Sequence, residues 1–96
     1  MHAVIRRYRY DPTESAAIDR LVRNGFTPMV RLAKGFVSYH WMSNGKGEGA
    51  SLSVFQDKAG ADESVRLAAD FTGKNMAGLL TQKPDVFEGT LAAHAP

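Results

Sequence analysis

Three side chains in predicted strands could take part in proton transfer or anion binding: Arg6, Tyr8 and His40. Imidazole titrates near neutral pH, so His40 could take a proton from a phenolic or enolic molecule. Alternation along the strands predicts that Arg6 and Tyr8 share the face of His40. In this hypothesis His40 is a catalytic base, Arg6 stabilises the developing oxyanion and Tyr8 orients it.

A ligand pocket is predicted beside these residues. Its predicted ligand-binding side chains are mostly apolar: Phe36, Ser38, Phe71 and Met76. The simpler alternative is that His40 is a hydrogen-bonded histidine in or near a dimer interface, because the sequence shows no second catalytic element. Arg6 could equally pair with Glu88 on the last predicted strand.

The elements that position these residues follow the order β-α-β-β-α-β. Alternating residues predict strands over 3–10, 36–42, 51–56 and 85–92, and apolar spacing predicts helices from Asp11 to about Leu32 and after Asp57. The second and third strands flank a glycine-rich turn. This order predicts an α+β, ferredoxin-like domain over residues 1–96, with a four-stranded antiparallel sheet and two helices on one face.

The first predicted helix contains two residues that disturb it. Gly25 weakens the helix interior, and Pro28 lacks the amide that would bond to the carbonyl of Asn24. The apolar spacing continues past Pro28, which favours a kinked helix. A helix that ends at Asn24, with Gly25 as its left-handed cap, is the alternative.

Neither face of the predicted sheet is plainly polar. Two helices can cover one face only, so the other face predicts a second copy of the chain, packed sheet to sheet as a homodimer. Alternation places Tyr39 and Trp41 on the face away from Arg6, where they are the predicted interface anchors. A shift of one residue in strand register would exchange the two faces.

Composition argues against several classes of partner. The net charge is +2 and the isoelectric point about 9.2, but alternation divides the arginines of the first strand between both faces, so no nucleic-acid partner is expected. The chain has no cysteine, and its three histidines lack metal-ligand spacing, so no metal site is predicted. The N-terminus has no long apolar segment, which predicts a cytoplasmic protein without a membrane partner.

The segments VIRRYR, KGFVSY and SVFQDKAGADES, in this arrangement of elements, resemble the dimeric α+β barrel superfamily, and within it the antibiotic-biosynthesis-monooxygenase-like proteins. The resemblance implies a ferredoxin-like protomer, a homodimeric barrel and a small hydrophobic cavity between sheet and helices. Haem-degrading relatives use an Asn in the first strand and a His on the second helix. This chain has neither, so the resemblance carries over no haem ligand and no cofactor.

The resemblance and the residues together lead to two functional hypotheses. The first is a cofactor-independent, monooxygenase-like enzyme that acts on a small aromatic, quinol or polyketide-like ligand, and it predicts an accessible cavity containing His40. The second is a non-catalytic dimeric module that binds a small ligand or a partner. It predicts an interior filled by the protein's own side chains.

Overall fold

One antiparallel sheet organises the fold in the computed structural model, which describes all 96 residues. Its strands are β1 (His2–Arg9), β2 (Phe36–Ser43), β3 (Glu48–Phe55) and β4 (Asp85–Thr90). The strand order is β2-β3-β1-β4, and every neighbouring pair is antiparallel. Each pair of strands joined by a helical connection has another strand between them, so the predicted ferredoxin-like α+β arrangement is confirmed.

Two helical segments, called here the first and second helical layers, both pack directly on one face of this sheet, called here the helix face. The first comprises a short 3-10 helix (Pro12–Glu14), α1 (Ser15–Leu21), a π-helical turn (Val22–Phe26) and α2 (Thr27–Val30), and it lies over β2. The second is α3 (Lys58–Asn75), which packs across β1 and β3. The opposite face, called the open face, has no helix on it. No helix of the chain has both the length and the apolar character required to span a membrane.

Both helical layers begin at aspartates that cap their free amides. The Asp11 carboxylate accepts a hydrogen bond from the Thr13 amide at 2.9 Å, and Asp57 accepts one from the Gly60 amide at 3.0 Å. These bonds satisfy amides that the first helical turn leaves without a partner. Both capping positions agree with the sequence prediction.

The first helical layer continues through Gly25 and Pro28 instead of ending at Asn24. The irregularity takes the form of the π-helical turn, in which the Thr27 amide bonds to the carbonyl of Val22, five residues earlier. The Thr27 hydroxyl donates to the same carbonyl at 2.9 Å. Because Pro28 has no amide proton, the regular bond to Asn24 is impossible, and the wider turn accommodates that loss.

A β-bulge near the start of β2 changes which side chains face the helices. Phe36 pairs with Phe55, but Ser38 pairs with the preceding Val54, so Val37 is an extra residue in β2. Every later residue of β2 therefore lies on the face opposite to the one that simple alternation predicts.

Because of the bulge, four residues lie on a different face of the sheet from the one predicted. Tyr39 and Trp41 lie on the helix face, whereas Ser38 and His40 lie on the open face. The predicted grouping of His40 and Ser38 with Arg6 is therefore wrong. Tyr39 and Trp41 likewise do not occupy the face from which they were expected to anchor a sheet-to-sheet dimer.

The hydrophobic core lies between the helix face and the helices. Its largest fully buried side chains come from every layer: Val4, Ile18, Val30, Phe55 and Met76. On the open face, apolar side chains stay accessible, including Ile5 at 38% exposure and Phe87 at 72%. The core thus accounts for one face of the sheet and leaves the other without a covering layer.

Candidate functional site

A group of polar side chains lies on the helix face, inside the otherwise apolar layer between sheet and helices. Its members are Arg6 and Tyr8 from β1, Tyr39 from β2 and Ser51 from β3, and we call them the polar cluster. Arg6 and Ser51 are direct partners across the β1–β3 pair. Arg6 is only 7% exposed, which is unusual for a residue that always carries a charge.

Tyr8 makes the only side-chain hydrogen bond of Arg6. The Nε group of Arg6 donates to the Tyr8 hydroxyl at 2.7 Å, and the guanidinium carbon lies 5.5 Å from the centre of the Tyr8 ring. None of the ion pairs in the chain includes Arg6. The charge is therefore held by one hydroxyl and one aromatic ring.

Tyr39 reaches the cluster because the bulge turns it toward the helices. Burial raises the pKa of Tyr39 well above its usual value, and the nearby Tyr8 adds to the rise, while the Ser51 hydroxyl and the Arg6 charge oppose it. The phenol consequently keeps its proton at every physiological pH. Tyr39 can thus donate a hydrogen bond to a ligand oxygen, but it cannot act as a phenolate base.

Trp41 forms a wall beside the cluster, and its position is fixed from two sides. Its ring meets that of Tyr8 edge to face, with centroids 5.4 Å apart. Its Nε1 group donates to Asp19 on α1 at 2.8 Å, and the other oxygen of Asp19 accepts from Ser43 at 3.1 Å. Asp19 therefore fastens α1 to β2 at the edge of the site.

Aromatic rings continue the wall toward α3. Phe26 packs edge to face against Tyr39, and it also packs against Phe71, with centroids 5.5 Å apart in both pairs. Phe71 and Met76 are buried in the core cluster, and Phe36 packs against it. Three of the four residues predicted to bind a ligand thus lie on the helix side of the sheet. Ser38, the fourth, lies on the open face.

A surface cleft of about 220 Å³ borders the polar cluster at Tyr39. Its lining includes Tyr39, Trp41, Asp19 and Arg23. The other members of the cluster, Arg6, Tyr8 and Ser51, are not part of that lining. Its volume is below the roughly 300 Å³ at which sites for drug-sized molecules begin, so the cleft suits a compact ligand.

A larger groove of about 520 Å³ lies on the other side of the first helical layer. It runs between that layer and α3, with Arg20, Gly25 and Phe71 in its lining. Phe71 and Phe26 separate it from the polar cluster. We place the candidate site at the smaller cleft, because Tyr39 of the polar cluster lies in its lining and the larger groove contains no member of the cluster.

Sequence reasoning identified Arg6 and Tyr8 as neighbours but missed Asp19. The two oxygens of Asp19 accept hydrogen bonds from residues 22 and 24 positions away, and no local pattern reveals such contacts. The predicted alternative pairing of Arg6 with Glu88 is also not formed. Glu88 accepts from Nε2 of His2 at 2.9 Å instead.

No group of three or more His, Asp or Glu side chains converges as a metal site would require. His40 is exposed on the open face, where its neighbour across the strand pair is Leu52. The sheet therefore separates His40 from the polar cluster of its own chain. The geometry gives the cluster a cation and hydroxyl donors, but no histidine or carboxylate that could serve as a base.

Comparison with known proteins gives matches at the level of structure alone: no family model and no curated protein matches the sequence. A protein of unknown function from Nitrosomonas europaea superposes with a TM-score of 0.81 at 23% identity, over 99% of this chain and 93% of that one.

Two functionally described structures also match over 99% of this chain. A monooxygenase of Streptomyces coelicolor, in complex with the ligand nanaomycin D, has a TM-score of 0.74 at 13% identity over 90% of its length. SnoaB, a cofactor-independent oxygenase from Streptomyces nogalater, has a TM-score of 0.72 at 14% identity over 96% of its length. The chain therefore has the fold of the antibiotic-biosynthesis-monooxygenase-like proteins, as the sequence resemblance predicted.

Proposed function

We propose that this protein binds a small aromatic molecule between the helix face and the first helical layer, and that it oxygenates that molecule without a cofactor. The observation that carries the proposal is the polar cluster, which lies among aromatic rings and has one member, Tyr39, in the lining of a surface cleft. Aromatic walls with a few converging polar groups are typical of small-molecule sites.

The fold supports this choice of chemistry, because structural relatives include a cofactor-independent oxygenase and a monooxygenase with a bound ligand. In such an oxygenation of a ring methylene, one atom of dioxygen becomes the new carbonyl oxygen. The other leaves as water with the two methylene hydrogens. Arg6 and the hydroxyls of the cluster would stabilise negative charge that develops on the ligand oxygen.

A binding module without catalysis is the second candidate. It is favoured by the position of His40, since the cluster contains no histidine or carboxylate that could serve as a base. An enzyme built on this cluster therefore needs a ligand that loses its proton readily, whereas a binding module needs none.

The first experiment uses Trp41, the only tryptophan of the chain, as a reporter of the site. Anthrone, hydroquinones and polyphenols are titrated while tryptophan fluorescence is recorded, and dioxygen uptake is measured for each molecule that binds. Saturable quenching is expected for aromatic ligands, and dioxygen uptake is expected for the electron-rich ones.

Matched variants locate the response on one face of the sheet. Tyr39→Phe should weaken ligand binding about five- to tenfold, the cost of one neutral hydrogen bond. His40→Ala, on the open face, should leave binding unchanged. Binding without dioxygen uptake would favour the module, and an absence of saturable quenching by every compound would refute both candidates.

A further inference from the structure

The charge of Arg6 has no counter-ion within the chain. The carboxylates that approach the same face have other partners: Glu88 binds His2, and Asp19 accepts from Trp41 and Ser43. The guanidinium has five N–H groups, of which Nε donates to Tyr8 and no other makes a side-chain hydrogen bond.

A buried cation of this kind is costly unless an anion compensates it. Removing a charged group from water costs several kcal/mol, and a neutral hydroxyl recovers only part of that free energy. The terminal nitrogens of Arg6 are not sealed in, since Tyr10 contributes the only fully buried polar side-chain atom that lacks a partner. They therefore keep a small accessible surface and no protein partner.

The side chains around Arg6 also favour a negatively charged oxygen atom. Tyr39 keeps its proton and is a hydrogen-bond donor, and the Ser51 hydroxyl can also donate. The cluster contains no carboxylate, and Asp19, which lines the cleft beside it, directs its two oxygens to Trp41 and Ser43. The rings of Tyr8, Trp41 and Phe26 give the cluster apolar surroundings that suit an aromatic group.

We infer that the ligand binds as an anion, with an ionised oxygen attached to an aromatic ring held against Arg6 and the Tyr39 hydroxyl. This inference rests on the proposed function and specifies the class of ligand that the site takes: an acidic phenol, an enol or an aromatic carboxylate that is already ionised at neutral pH. Such a ligand needs no protein base, which agrees with the location of His40 on the open face.

The test compares two probes of similar shape and different charge. 2-Hydroxy-1,4-naphthoquinone is ionised at neutral pH, and its methyl ether, 2-methoxy-1,4-naphthoquinone, is neutral. Calorimetric titration of the unmodified protein should show the anion binding at least about tenfold more tightly than the ether, because hydrogen bonds to charged groups exceed neutral ones by that factor. Lowering the pH until the hydroxy probe is neutral should remove its advantage.

Arg6→Met removes the charge and keeps an unbranched apolar side chain. It should reduce affinity for the anion about ten- to a hundredfold and leave affinity for the ether nearly unchanged. Arg6→Lys should restore part of the preference. Arg20→Met, in the larger groove, is the matched control and should change neither affinity, which separates the site from general attraction of anions to a basic surface.

The outcomes distinguish the two proposals. Equal affinity of the unmodified protein for both probes refutes the anion inference and leaves the aromatic site intact. A preference for the anion that Arg20→Met abolishes also refutes it, since the binding then lies in the larger groove. Failure of both probes to bind, together with every ligand of the first screen, refutes the site itself. The comparison on unmodified protein decides the matter even if Arg6→Met does not fold.

Discussion

At the scale of single residues, burial decides which groups of the site can do chemistry. Tyr39 and Trp41 belong to the site because one extra residue, Val37, precedes them in β2. Tyr39 keeps its proton because its surroundings disfavour a phenolate. Asp19 acts through Trp41, which it holds against Tyr8, so Asp19 is a positioning residue in the lining of the cleft.

The raised pKa of Tyr39 predicts a loss of stability at alkaline pH. The ordinary pKa is 10.0, so above that pH the unfolded chain releases the Tyr39 proton while the folded chain retains it. The free energy of unfolding then falls by up to about 1.4 kcal/mol per pH unit, which is the limit for one proton. Urea denaturation followed by circular dichroism between pH 8 and about 11 measures this decline.

Tyr39→Phe is the variant that isolates this contribution. Its free energy of unfolding should fall less steeply above pH 10.0 than that of the unmodified protein. Some decline remains, since burial also raises the pKa of Tyr10. Parallel profiles for the two proteins would show that Tyr39 ionises as freely in the folded state as in the unfolded one.

At the scale of elements, the first helical layer and α3 meet where Gly25 lies against Phe71. A Cβ atom built on Gly25 would lie 2.8 Å from the ring of Phe71. That ring also packs against Phe26, so it has little freedom to move away. The close approach explains why a glycine occupies this helical position: a larger residue would collide with the ring of Phe71.

We therefore expect opposite effects from two glycine-to-alanine substitutions. Gly25→Ala should lower the free energy of unfolding by about 1–2 kcal/mol, because overpacking outweighs the gain in helix propensity. Gly73→Ala, in α3 with no atom within 4 Å of the new methyl group, should raise it by about 0.5–1 kcal/mol. Urea denaturation of both variants provides the comparison.

The packing argument has a direct check in a double variant. Gly25→Ala combined with Phe71→Leu should lose less stability than the sum of the single losses, because the smaller side chain leaves room for the methyl group. Additive losses, or a Gly25→Ala protein as stable as the Gly73→Ala protein, would contradict the proposed contact.

The sequence predicted the helices and strands more accurately than it predicted the face of the sheet on which each side chain lies. Capping by Asp11 and Asp57 and the apolar spacing of the helices are local features, and the structure confirms them. The bulge at Val37 was not predictable, because nothing in the residues around it distinguishes an extra residue from ordinary alternation. The grouping of Arg6 with Tyr8 lies within one strand and was correct, whereas the grouping with His40 required the register of β2.

At the scale of the whole molecule, the open face has accessible apolar side chains and no covering layer. Ile5 is 38% exposed in the middle of the sheet, and Phe87 on β4 lies directly opposite it at 72% exposure. An apolar face of this kind is typical of an interface. We expect a second copy of the chain to cover it, which keeps the predicted homodimer while assigning its contacts to other residues than Tyr39 and Trp41.

Phe87→Asp should weaken this homodimer at least about tenfold, because it introduces a charge into an apolar contact. Sedimentation velocity over a concentration series measures the association. Leu32→Asp is the matched control: Leu32 is 86% exposed beyond the end of α2, away from the open face, and its replacement should leave the mass unchanged. A monomeric unmodified protein, or equal association of both variants, would contradict a dimer formed through this face.

The bulge also makes the length of the chain before Tyr39 a determinant of the site. Removing Val37 would restore regular pairing, turn Tyr39 and Trp41 outward and bring His40 beside Arg6 without any change in their chemical identity. Two chains that differ by one residue at this point would therefore present different chemistry in the same fold: hydroxyl donors in one, an imidazole base in the other. Insertions and deletions here would change what the interior can do more than most substitutions.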